Sequence, residues 1–450
     1  MNGLEEFARA TLRRYGVALA YPDFRTMWLA NLSAQAAAWA LIVSRGWLVF
    51  DMTHSSWMVG LVTFAAMAPL LFMPIVAGVL ADRMDRRTLL GSTYFVNMVI
   101  TLALGVLAEA GVLNEWWVLA LTVVNGMARA AQQSTSQALA ASLVPPEKLL
   151  NALSLTAATQ HMSKLVGPGL VTPVLGYLGA GPAFLVCGLL YGVGWWQIQG
   201  IQTASTGGIR KGEPFVESFT AGVRYMWSQP LIRMVLAMVF FHCGFTMAFE
   251  SLIPNFYAQQ LHQAPSVVAA APLPHQHDAP SVAFNTEATG FATLLMGVGL
   301  GALIGSVVVG GIESGLARGR LYLVMGVLSG LGQVLFSFAP TMELAFGAAA
   351  IMGASQAAFM TMGQALMQAL ATNEFRGRVA SMNMLVLGGV MSVMNLANGA
   401  LGTVFPAAAI LLVTGLLFVG VMLVSVAFTT PRRVYRNGMP SRPPVAAAAG

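Results

Sequence analysis

Twelve apolar stretches, each about as long as a helix needs to cross a lipid hydrocarbon core, recur along this chain and restrict its fold more than any other feature. They lie near 26–50, 57–81, 88–109, 116–140, 152–178, 182–199, 231–258, 288–312, 319–340, 343–370, 378–401 and 406–428. Inside lipid a backbone must satisfy its own hydrogen bonds, which leaves α-helices or a closed β-barrel. Uninterrupted runs of this length, rather than short alternating strands, select helices. Composition agrees: 57% of the 450 residues are hydrophobic and 9% are charged, where a soluble domain carries about a quarter charged. The expectation is an all-α membrane protein, with both termini on one side because the count is even.

The basic residues orient it, since Lys and Arg stay on the cytoplasmic face of short loops. Of the 23, twenty fall on the side of the N-terminus and three (Arg45, Arg129 and Lys164) inside helices, leaving none for the opposite loops. Both termini are therefore expected in the cytoplasm, and the net charge of +6 calls for no nucleic-acid partner. The first residues lack the apolar core and small-residue cleavage site of a signal peptide, so the first helix is expected to remain as an anchor. Residues 4–20 read instead as an interfacial amphipathic helix.

A shift of 227 residues aligns GMARAAQQSTSQALAASLVPPE from Gly126 with GASQAAFMTMGQALMQALATNE from Gly353. Gly126 meets Gly353, Gln137 meets Gln364, Leu143 meets Leu370, Glu147 meets Glu374 and Ser154 meets Ser381. Each copy spans the fourth helix of a six-helix set and the loop to the fifth, as duplication of a six-helix unit would leave. The expected organisation is an amphipathic segment (1–25), a six-helix bundle (26–199), a cytoplasmic linker (200–230), a second six-helix bundle (231–428) and a cytoplasmic tail (429–450). A segment of the linker with Phe215, Phe219 and Tyr225 would lie on the membrane surface. A periplasmic loop at 259–287 holds His262, His275, His277 and Asp278, but a Pro-rich loop gives little fixed geometry, so no metal is expected. Cys187 and Cys243 lie within helices as packing residues.

After the second helix stands GVLADRMDRRTLL, with Gly78, Leu80, Asp82, Arg83, Arg86, Arg87 and Leu90 spaced G-x-L-x-D-R-x-x-R-R-x-x-L. Here the sequence resembles the major facilitator superfamily, whose signature occupies this loop; Asp85 stands where the family has Gly. The resemblance implies the major facilitator fold, two pseudo-symmetric bundles of six helices, and a role for Gly78, Asp82, Arg83, Arg86 and Arg87 in latching one conformation. Such a cluster can make charge-assisted hydrogen bonds across the seam between the halves. The corresponding loop of the second half, GIESGLARGR, keeps Gly311 and Arg320 but has Gly315 at the position of Asp82. In the fifth helix, SKLVGPGLVTPVLG resembles the Gly-Pro motif of the antiporter branch, with Gly167, Pro168 and Gly169. WLVFDMTHSSWMVGLV and LVPPEKLLNALSL resemble the bacterial branch of siderophore exporters, macrolide efflux proteins and lysophospholipid transporters.

An ionisable group at the centre of a membrane helix costs roughly 2.5–3.5 kcal/mol, which makes each one a functional candidate. Helical spacing gathers them into stripes: Asn125, Arg129, Gln132, Gln133 and Gln137 on the fourth helix, Gln160 and Lys164 on the fifth, and His242, Thr246 and Glu250 on the seventh. These stripes are expected to face a central cavity, with Arg45, Lys164, Asn125, Gln133 and Gln160 as substrate contacts. Glu250 is the one carboxylate well inside a span. It either carries protons, with Arg129 and His242 as further coupling candidates, or sits in a static ion pair. Both Arg45 and Glu250 fall toward the outer third of their helices, where a salt bridge would form an outer gate. His242 is a relay or a satisfied core residue.

Three cations against one acid make the cavity electropositive and favour an anionic or amphipathic substrate. No G-x-x-x-x-G-K-[ST] nucleotide loop is present and no enzyme chemistry or cofactor is expected. The reading is a monomeric secondary transporter of the bacterial inner membrane, exchanging a small molecule outward for protons by alternating access. A lipid or lysophospholipid flippase and a nontransporting receptor on the same fold are the alternatives.

Overall fold

The computed structural model describes residues 16–73, 76–77, 80, 84–145, 148–203, 215–261, 286–310, 315–372 and 375–438. Each long element among them is helical. In the first half these are α1 (Pro22–Thr53), α2 (Ser56–Met67), α3 (Arg86–Glu109), α4 (Glu115–Ser142), α5 (Leu149–Leu178) and α6 (Ala180–Ile198). A linker helix, α7 (Phe215–Ser228), leads to α8 (Pro230–His242), the short α9 (Ile253–Phe256), α10 (Thr286–Gly310), α11 (Gly315–Ser337), α12 (Met342–Leu370), α13 (Arg376–Leu401), α14 (Ala407–Ser425) and the terminal α15 (Thr429–Asn437).

Local chemistry fixes many boundaries. Pro22 opens α1, where a missing N–H leaves no bond unmade. Asn114 caps α4 through the Trp117 amide, and Thr341, one repeat offset later, caps α12 through the Leu344 amide. Asp85 has a role of its own: its carboxylate accepts the Arg87 amide at 2.8 Å and caps α3. The departure from the family's Gly thus gives the helix a start signal.

Nine helical stretches among the described residues are long and apolar enough to cross a membrane. The other three expected spans include α2, which is short and passes at Ala68–Leu71 into a 3₁₀ turn containing Pro69. They also include α4 and α5, whose apolar character is diluted by the polar stripes and by Pro168 and Pro173. Tryptophans mark both interfaces, with Trp116 and Trp117 at the start of α4 and Trp196 and Trp227 near the ends of α6 and α7, all more than half exposed.

The first six spans bring the chain back to the face on which it began, here called the terminal face; the opposite one is the distal face. Within the first half α6 packs on α1 and α3, and within the second α12 packs on α10 and α11. The halves meet along two crossings, α5 with α10 and α2 with α13. At the first, a Cβ on Gly299 would lie 2.7 Å from the Lys164 carbonyl carbon. At the second, a Cβ on Gly60 would lie 2.9 Å from both the Asn395 carbonyl oxygen and the Gly399 Cα. Small residues allow this approach of backbone to backbone.

Two peripheral segments dock rather than hang free. Tyr225 of α7 stacks on Phe375 at 4.2 Å and its hydroxyl accepts the Thr372 amide at 3.2 Å, tying the linker to the α12–α13 turn. In α15, Pro431, Val434 and Tyr435 are buried while Arg432, Arg433 and Arg436 are exposed, and a Cβ on Gly319 of α11 would collide with the Val434 carbonyl. The segment expected as a tail therefore begins as an amphipathic helix. Residues 1–15, which hold most of the expected amphipathic helix at 4–20, and nearly all of the His-rich loop, residues 262–285, lie outside the described residues.

Candidate transport site

The seventh span departs from the continuous helix that hydropathy suggests over 231–258. After His242 it loosens into a π-turn at Cys243–Met247, loses helical form over Ala248–Leu252, resumes at Ile253–Phe256 and loosens again at Tyr257–Leu261. Pro254 supplies the cause. It has no N–H to donate to the carbonyl four residues earlier, and its ring collides with that carbonyl; the residue four back is Glu250.

Breaking a helix inside a membrane frees backbone groups that water cannot satisfy. Here amide side chains from three helices do so. Gln333 of α11 donates to the Phe245 carbonyl at 3.0 Å, and Gln356 of α12 donates to the Thr246 carbonyl at 2.7 Å. Asn398 of α13 donates to the Ala248 carbonyl, while Asn395 Oδ1 accepts the Ser251 amide at 3.2 Å. The Ser251 hydroxyl also donates to the Asn395 carbonyl at 3.0 Å.

Glu250 is held on this segment at 7% exposure, with Oε2 buried and without a hydrogen-bond partner. It lines a cavity of about 10 Å³ together with Arg45, Arg129, Thr63 and apolar residues of α1 and α2, room on the order of a single water. Arg45, Arg129 and Lys164 all interact electrostatically with it. Arg45 lines the same cavity, and its hydrogen bonds go to α4, from Nη1 at 3.4 Å to Thr122 Oγ1 and at 3.4 Å to Asn125 Oδ1. Asn125 in turn donates to Asn97 at 2.8 Å, and Asn97 donates to Gln132 at 3.2 Å. A buried polar chain thus runs from α1 through α4 to α3.

Trp39 of α1 joins the two remaining cations. Lys164 Nζ lies 4.5 Å and Arg129 Cζ 5.7 Å from its ring centroid, both within cation–π range. Gln133 and Gln160 are half-buried and Gln137 is exposed. Along α4 the stripe therefore passes from buried Asn125 to exposed Gln137 on approaching the terminal face.

His242 has different surroundings. It is fully buried in the second half, 3.1 Å from Ser329 Oγ, against the rings of Phe359 and Phe418. The π-turn and the break separate it from Glu250, which a continuous helix would have kept in line. Cys187 and Cys243 are free and buried.

Gly78, Asp82 and Arg83 of the signature loop lie outside the described residues. Arg86 donates to the Ala138 carbonyl of α4 at 3.3 Å and Arg87 to the carbonyl of Ile201, just past the end of α6, at 2.5 Å. In the Gly-Pro motif, a Cβ on Gly167 would collide with the Ala36 carbonyl of α1, Pro168 is buried inside α5, and Gly169 faces Met296 of α10. A wider groove of about 500 Å³ opens between the terminal ends of α1 and α6, lined by Thr26, Leu29, Trp196, Gln197, Gln199 and Gly200 and by none of the charged residues above.

Residues 17–271 match the family model of transmembrane secretion effectors, more than half of the chain. The chain belongs to the transmembrane secretion effector family. It is a multi-pass membrane transporter of the major facilitator type. Similar proteins include the multidrug efflux pump Tap of Mycolicibacterium fortuitum, 22% identical over 83% of this chain and 86% of that protein. The Tap pump of Mycobacterium tuberculosis strain H37Rv is 24% identical over 83% of each. In fold the chain is similar to a POT family transporter solved with 5-aminolevulinic acid (TM-score 0.69, 10% identity, 91% of this chain and 96% of that one). The nucleoside transporter NupG matches with a TM-score of 0.65 at 9% identity, over 90% of this chain and 97% of that one. Family members and structural neighbours alike are transporters rather than enzymes.

Proposed function

We propose that this transporter exports a small molecule across the bacterial inner membrane in exchange for protons, with Glu250 as the proton carrier. The observation that carries the reading is a buried carboxyl with an unpartnered oxygen, placed on a helix break and facing three cations from the other half. A carboxylate held this way gains attraction from Arg45, Arg129 and Lys164 when charged and loses it when protonated, so protonation changes how strongly the two halves attract each other. The break also bears on the ion. The carbonyls of Phe245, Thr246 and Ala248 each accept an amide proton, which leaves them poorer ligands for sodium than the free carbonyls that such a site draws on.

The excess of positive charge facing the first-half interior favours an anionic or amphipathic cargo. Arg45, Lys164, Asn125, Gln133 and Gln160 are its expected contacts, and likeness to efflux pumps supports the outward direction. The signature loop, with Asp82 and Arg83, is proposed to latch one state of the cycle. Twenty basic residues on the terminal face support cytoplasmic termini.

The test is uptake into everted membrane vesicles under an imposed pH gradient, across anionic siderophores, macrolides, cationic dyes and lysolipids. Gradient-driven accumulation of one class is expected, collapsing when a protonophore is added. Uptake that ignores the protonophore would overturn antiport, and a lysolipid signal confined to leaflet exchange would favour a flippase.

A further inference from the structure

Asn395 and Asn398 stand three residues apart, on one side of α13, and hold the backbone on both sides of Glu250. Asn398 secures the Ala248 carbonyl, and Asn395 secures Ser251 twice, through the serine amide and through its hydroxyl. The same turn of α13 forms the crossing with the other half. The Asn395 carbonyl that accepts the Ser251 hydroxyl is also the atom that a Cβ on Gly60 would meet at 2.9 Å. One turn on, a Cβ on Gly399 would lie 2.6 Å from the Ser56 carbonyl and one on Gly402 3.0 Å from the Ser56 Cβ. Asn255, beyond the break, donates to the Gly402 carbonyl at 3.2 Å. Glu250's segment and the α2–α13 seam are thus two sides of one stretch of helix.

We propose that Asn395 and Asn398 are positioning residues that couple the charge state of Glu250 to closure of the distal seam between α2 and α13. The proposal rests on the reading of Glu250 as the proton carrier. The groups facing Glu250 are Arg45 from α1, Arg129 from α4 and Lys164 from α5, with Thr63 of α2 in the same cavity. With Glu250 charged, attraction to these cations draws the Ala248–Ser251 segment toward the first half. Because the two asparagines tie that segment to α13, the same pull presses Gly399 and Gly402 onto Ser56 and Gly60. With Glu250 neutral the pull is lost and the seam is free to part. The coupling works through direct contact of packed backbone, and its size is the difference in seam closure between the two charge states.

The seam can be read by a disulfide. Ser56→Cys with Gly402→Cys places the two Cβ atoms 3.0 Å apart in the closed seam, so that a shift of about 0.5 Å reaches bridging distance while a parted seam does not, and the native cysteines are buried. In the full-length protein in lipid vesicles, Glu250→Gln is expected to slow cross-linking by about fivefold or more. Adding Asn395→Leu and Asn398→Leu, with Ser251→Ala to remove the hydroxyl bond to the Asn395 carbonyl that a side-chain change leaves in place, should bring the ratio between the backgrounds with and without Glu250→Gln close to one. A ratio that persists with both asparagines replaced would overturn the proposal. Because the combined replacement can fail to fold, Asn398→Ser alone serves as the second variant: it keeps a small hydroxyl but is too short for the Ala248 carbonyl, and is expected to reduce the ratio partway, whereas an unchanged ratio counts against coupling. Proton flux separates this from the underlying reading. If Glu250→Gln abolishes flux while the asparagine changes leave the cross-linking ratio intact, the coupling fails and the carrier role stands. If flux survives Glu250→Gln, the carrier role fails.

Discussion

α1 runs unbroken through 32 residues and carries Arg45 into the interior, whereas the seventh span, which opens the second half, is broken on either side of its single acid. In α1 the backbone satisfies itself, and the charged side chain is met by Thr122 and Asn125 of a neighbouring helix. In the seventh span the order is reversed. The neighbours spend their amides on the backbone, and the Glu250 carboxyl is left with an unpaired oxygen. The two fourth helices repeat the contrast. Arg129 of α4 and Gln356 of α12 stand one 227-residue offset apart; the first faces Glu250 and the second supports its backbone. One half supplies charge, and the other supplies a segment that can yield to it.

The strongest way to break this comparison is to remove the acid. Glu250→Gln is expected to lower gradient-driven export by at least about fivefold, the lower bound of a typical coupling energy, while leaving the protein folded; vesicle uptake measures it. Lys164→Gln, which removes one cation and its contact with Trp39, should reduce the same rate less, because Arg129 and Arg45 remain. Gln356→Leu strands the Thr246 carbonyl in an apolar interior and should cost about 1–3 kcal/mol, read as a lowered melting temperature in detergent. Gly167→Ala drives a methyl into the Ala36 carbonyl and should cost about 1–3 kcal/mol. Gly420→Ala, with nothing within 4 Å of the added carbon, should stay within about 0.5 kcal/mol of wild type.

The span pattern was legible in sequence because lipid imposes length and apolarity on each helix alike; even so, α1 runs from Pro22 to Thr53, past the apolar run on both sides, before His54 ends it in a left-handed conformation. The charged residues were equally visible, since each stands out in an apolar run. Hydropathy missed the break, although its signal was present: Pro254 sits four residues after Glu250 inside a run read as one helix. The amides at Gln333, Gln356, Asn395 and Asn398 were likewise visible as polar residues in apolar helices, but their partners are backbone atoms of a distant segment, which periodicity does not reveal. Trp39 reads as core by composition. Its role beside Lys164 and Arg129 depends on how three helices meet. The stripe from His242 to Glu250 failed to stay on one face because helical spacing assumes an intact helix.

Proton coupling through Glu250 is read by substrate-triggered proton movement in vesicles containing the purified protein, wild type beside Glu250→Gln. One substrate class is expected to elicit a proton flux in the wild type that is absent from the variant. A flux of equal size in both would contradict it and leave Glu250 a structural residue of the broken helix.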